Sequence, residues 1–76
     1  MNEPPHTSPQ SLGDALPQEM ARVRDLIPLY QGLPHNAGAI AIAMMRQDLD
    51  TAAQALATGD VVGMIRVFES LKGFKE

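Results

Sequence analysis

The chain has 76 residues and no cysteine, and its nine Asp and Glu outnumber six Lys and Arg to give a formal charge of −3. Without Cys there are no disulfides or thiolate metal sites, and scattered cations in an acidic chain oppose nucleic-acid binding, which needs several positive side chains on one face. One domain of this size draws only about 3–5 kcal/mol from a single core, so a second subunit is its natural supplement.

Residues 1–13 contain Pro4, Pro5 and Pro9 among Ser, Thr, Asn and Gln, with little to bury. They read as a disordered arm ahead of a helical domain at 14–76. The start is acidic and Pro-rich and lacks the basic and apolar regions of a signal peptide. Its loose Pro5 to Pro9 interval does not make a groove-binding Pro motif.

Leu16, Met20, Val23, Ile27 and Tyr30 then recur at steps of four and three, which lines one face of a helix over 16–30. Pro17 suits the first turn of that helix and Glu19 its positive end. Arg22, Arg24 and Asp25 fall off the apolar face. Pro28 removes a hydrogen bond, so a kink or an end is expected between Asp25 and Tyr30, completed by Gly32 and Pro34. Leu26, Leu29 and Leu33 lie outside the stripe and suit a second surface.

The longest helical pattern, 36–58, is the spine of the fold. It is rich in Ala, has no Pro, and opens at Asn36, a good capping residue. Ile42, Met45, Leu49, Ala52 and Leu56 make a continuous seam. Gln47, Asp50, Thr51 and Gln54 solvate the opposite side of the second half, whereas the first half places Ile40 and Met44 there, flanked by Ala37, Ala41 and Ala43. A helix apolar all round is surrounded by protein, and two other helices are few for that. The run from Ala37 to Met45 is nine residues long, far short of the roughly 20 that cross a bilayer.

Gly59 stops the spine and Asp60 caps a last helix over 61–72. Its apolar face reads Val61, Met64, Ile65, Phe68 and Leu71, with Arg66, Glu69 and Ser70 opposite. Ala55, Gly59 and Ile65 have the spacing of a helix-turn-helix. Against that motif, Gln54 and Asp60 stand where apolar residues are usual, and the would-be recognition helix offers one Arg and one Glu for reading bases.

Catalytic groupings are not evident. Ser8, Ser11 and Ser70 have no neighbouring His, His6 lies in the arm, and Asp48 and Asp50 point to different sides of a helix. His35 beside a helix start suggests an anion site, but a loop His next to a capping Asn36 explains the pair as well. No enzyme activity, cofactor, metal or small-molecule substrate is expected.

The segments MARVRDLIPLY, AGAIAIAMMR with the following DLDTAAQALATGDVV, and ESLKG together resemble short helical proteins encoded in proteobacterial and phage or prophage genomes. The resemblance spans roughly Met20 to Gly73 and carries no catalytic signature. It implies a phage accessory role, in which a small acidic helical protein binds and blocks or redirects a host protein.

The expected protein is therefore all-α, a cytoplasmic three-helix domain with a long central helix. Ile40 and Met44 of two chains meet in a symmetric dimer, with Leu29, Leu33, Ala37 and Ala41 completing a dimer or partner interface. Its function is non-catalytic protein binding, to itself and to another protein, with Arg46, Asp50 and Gln54 as the polar rim. The alternative is a small transcriptional regulator using the Ala55 to Phe68 hairpin on nucleic acid.

Overall fold

The computed structural model describes residues 9–75. Among them the chain forms three α-helices and one short 3-10 turn: α1, Pro9–Gln31; the turn, Pro34–Asn36; α2, Ala39–Thr58; and α3, Val61–Lys72. The three helices pack on one another as an all-α domain, as the apolar spacing predicts. Residues 1–8 of the expected arm lie outside the described residues. Residues 9–13 enter as the opening of α1.

Proline is favoured in the first turn of a helix, because its missing N–H is not needed there, but Pro17 lies two turns inside α1. Pro17 and Pro28 both sit inside the helix. Eleven residues separate them, about three turns, so they share one face, and both are exposed. The carbonyls they leave without a partner belong to Gly13 and Arg24, at positions water can reach. α1 therefore neither ends nor breaks at Pro28: it runs to Gln31, and the Gly32 amide still bonds the Pro28 carbonyl at 3.1 Å.

Asn36 does not cap α2. His35 and Asn36 both have positive φ, 58° and 57°, and the helix begins three residues later with Gly38 as its N-cap. Gly38 is buried against α1. A Cβ there would lie 2.5 Å from the Tyr30 carbonyl oxygen, so only glycine allows the two helices to approach this closely where they join. At the other end Gly59, with φ 68°, closes α2. Asp60 then caps α3 by accepting a bond from the Gly63 amide at 3.0 Å.

Leu16, Met20, Val23 and Leu26 of α1, Met45 and Ala52 of α2, and Val67 and Leu71 of α3 form the core. Ile27, Tyr30, Ala41, Leu49, Leu56, Met64, Phe68 and Phe74 pack partly against it. Two assignments differ from the sequence reading. Leu26 belongs to the core, because α3 packs against that flank of α1. On α3 the buried stripe is Val67 and Leu71 with Met64 and Phe68 beside them, so Val61 and Ile65 face outward. Four Val and Ile residues on a short helix left its inner face ambiguous, and contact with both other helices selected it.

Two glycines make opposite tests of this packing. Gly13 lies within α1 with open space around its Cβ position, so Gly13→Ala is expected to raise stability by about 0.5–1 kcal/mol. Gly38→Ala should lower it, by about 1–3 kcal/mol, because Tyr30 must shift. Thermal unfolding of the two variants beside the wild type checks both signs.

Candidate protein interface

The interior described here contains no buried polar or charged residue. Among the described residues no three His, Asp or Glu side chains gather as metal ligands, and no helix is long and apolar enough to cross a membrane. His35 sits in an exposed turn. What distinguishes this surface is apolar: Leu29, Leu33, Ile40, Met44, Val61, Val62 and Ile65 are all exposed.

The first four lie near the end of the bundle where α1 and α2 join. The tight link after α2 folds α3 back along it, and the Ser70 hydroxyl donates to the Asp48 carboxylate. Asp48 is thus a helix-to-helix contact and not only a solvating group. From that contact onward each further residue of α3 lies beside an earlier residue of α2. α3 ends at Lys72, near the level of Met45 and Arg46, so residues 39–45 run on for about two turns without it.

Helix geometry relates the bare side chains to that contact. Met44 precedes Asp48 by four residues, about 40° around the axis, and Ile40 lies about 40° further. Met44 therefore lies beside the flank of α2 that carries α3, and Ile40 lies further round, toward solvent. Ile40 is 77% exposed and Met44 53%, whereas the adjacent Met45, about 100° away, is fully buried. Ala37 is exposed as well, while Ala41 turns inward far enough to pack partly on the core.

α1 repeats the pattern. Arg22 reaches the end of α3, its two Nη groups donating to the carbonyls of Leu71 and Phe74 at 3.0 and 2.9 Å. Leu29 follows Arg22 by seven residues, only about 20° off the same line. It is 53% exposed, next to Tyr30, whose hydroxyl meets the chain that follows α3. Leu33 lies just beyond, in the turn whose amide bonds the Tyr30 carbonyl. The six residues assigned to an interface from sequence are thus divided: Leu29, Leu33, Ala37, Ile40 and Met44 are exposed, and Ala41 is half-buried. Of the proposed rim, Gln54 falls about 40° around the axis from Ile40, some four turns further along. Arg46 lies two residues past Met44 and so about 160° away around the helix, with Asp50 part of the way round. Gln47, Asp48 and Thr51 border the apolar stripe.

The connecting turn adds strain at the same place. Residues 31–37 are all exposed, and within them His35 and Asn36 hold left-handed backbone, which costs a non-glycine residue roughly 1–2 kcal/mol. Backbone strain of this kind gathers at binding and switch regions. Here it stands between Leu33 and Ile40.

Arg22 is the residue whose role sequence spacing missed. It pairs with Glu19 at 2.5 Å and holds the end of α3 through two carbonyls. The bond to Glu19 raises the guanidinium pKa, so Arg22 stays charged throughout the neutral range. The Glu19 to Arg22 spacing signals the ion pair. Nothing in the sequence signals the carbonyls 49 and 52 residues away. The Tyr30 hydroxyl donates to the Lys75 carbonyl and ties the last described residue to α1 as well.

No protein-family model, curated protein or solved structure matches this chain.

Arg22→Ala is expected to destabilise the domain by about 1 kcal/mol, a figure discounted for the solvent exposure of the pair. It should also accelerate hydrogen exchange at the Gly73 and Phe74 amides. The exposed Arg66→Ala should do neither.

Proposed function

We propose that this chain is a non-catalytic protein-interaction module that pairs with itself through the apolar surface close to the join of α1 and α2, and acts by binding another protein. The observation that supports this reading is the exposure of Leu29, Leu33, Ile40 and Met44, four large apolar side chains close to the join of α1 and α2. Small soluble domains rarely leave several large apolar side chains together in water without a partner. A second copy is the favoured occupant, because the stripe from Ala37 to Met44 carries no charge, so two copies can meet across a two-fold axis without like charges opposed. Met44 is unbranched and adapts to such contacts. A cytoplasmic site of action fits an acidic chain without cysteine, and a phage accessory role is the biological setting that its resemblance to phage and prophage proteins suggests.

The nucleic-acid reading has less support. Ile65, which that motif would bury, is half exposed. The outward positions of α3 include Val61, Val62, Ile65, Arg66, Glu69 and Lys72, with two cations to meet phosphates and one carboxylate among them. No observation favours a catalytic reading.

Light scattering of the wild type and of Met44→Glu over a range of concentrations tests the proposal. The wild type is expected to pass from monomer to dimer, and the variant to remain a folded monomer with unchanged helical circular dichroism, because residue 44 is exposed in each subunit. Wild-type protein that stays monomeric at high concentration would refute self-association through this surface.

A further inference from the structure

We propose that α3 carries a second docking surface, independent of self-association, which accepts an amphipathic helix of another protein with an acidic first turn. Val61, Ile65, Phe68 and Lys72 recur at steps of four, three and four, so they form one stripe along the outer side of α3. Val61 is 45% and Ile65 50% exposed, and Phe68 is half-buried at the edge. The stripe rises about 16 Å, the length of a three-turn helix laid against it.

Its two ends differ in charge. At the Lys72 end a cleft of about 510 Å³ opens between α1 and the end of α3, lined by Glu19, Arg22, Leu26, Lys72 and Lys75. Three of the six Lys and Arg of an acidic chain therefore stand together. Glu19 is neutralised by Arg22 at 2.5 Å. Lys72 has only a loose contact with the exposed Glu69, 3.8 Å away, and its ammonium lies 5.3 Å from the Phe68 ring centre. Lys75 has no ion-pair partner among the described residues.

A helix laid antiparallel to α3 would bring its N-terminal turn to Lys72 and Lys75. Acidic residues are at home in that turn, because they offset the positive end of their own helix dipole. Its apolar side chains, at the same four-and-three spacing, would then cover Phe68, Ile65 and Val61. An anionic membrane fits less well: it would meet Glu69 on the same exposed side and a chain of net charge −3.

A fluorescein-labelled synthetic helical peptide, with Asp and Glu in its first turn and Leu at i, i+4 and i+7, tests this by anisotropy against the full chain. The wild type should bind it more tightly than a peptide with Lys in that turn. The double variant Lys72→Glu/Lys75→Glu should weaken the acidic peptide roughly tenfold or more and prefer the lysine peptide. Ile65→Glu should abolish both interactions, and Met44→Glu should leave them unchanged, which separates this surface from the self-association surface. Equal binding of the two peptides by the wild type, binding of neither, or binding to phosphatidylserine vesicles in place of the acidic peptide would overturn the proposal.

Discussion

The third helix is shorter than the pair it packs on, and most of the surface chemistry follows from that mismatch. α1 has 23 residues and α2 has 20, but α3 has 12. A bundle of two long helices and one short one has an end where all three contribute to a core, and an end where α1 and α2 run on past α3 and only the short segment through Phe74 and Lys75 follows them. Burying a side chain such as Ile, Leu or Met is worth about 1.5–3 kcal/mol. Leaving four of them bare is a large fraction of what so small a domain can hold. The end beyond α3 therefore joins the stability question to the functional one, since whatever covers it also stabilises the fold.

What holds the three helices in this arrangement is local and polar at the margins. Gly38 lets the start of α2 approach Tyr30, and Asp60 satisfies the first turn of α3. Ser70 and Asp48 tie α3 to α2, and Arg22 and Tyr30 tie its end to α1 through three carbonyls. None of the polar side chains among them is buried, so the core itself is left wholly apolar. The same contacts fix where α3 terminates, and hence where the uncovered surface begins.

The sequence disclosed the helices that have strong periodicity and failed where tertiary contact made the choice. The three-helix architecture, the buried Leu16, Met20 and Val23, the buried Met45 and Ala52, and the Gly59–Asp60 link were all readable from spacing and capping chemistry. Pro17 and Pro28 were read as a start and a break because propensity alone treats an internal proline as costly. The chain tolerates both because they share the exposed side of α1. Asn36 looked like a cap, yet Pro34 and the close approach at Gly38 place it in a strained turn instead. On α3, Ile65 and Val67 are equally apolar, and only the positions of α1 and α2 decide that Val67 is inside. Ile40 and Met44 were legible as surplus to the seam, and both are exposed. Of their predicted rim, Arg46 falls on the far side of α2 from Met44, Asp50 part of the way round, and Gln54 on the side of Ile40.

Adjacent methionines offer the most direct test of this account, because Met44 is bare and Met45 is fully buried in the single chain. With methyl-¹³C methionine in the protein and a soluble paramagnetic agent in the buffer, the attenuation of the two methyl signals would be followed as the protein is concentrated. Met45 should be protected throughout, whereas Met44 should be strongly attenuated when dilute and become protected as copies associate. Protection of Met44 at every dilution would mean that the chain covers this surface itself; equal attenuation at every concentration would mean that no second copy occupies it.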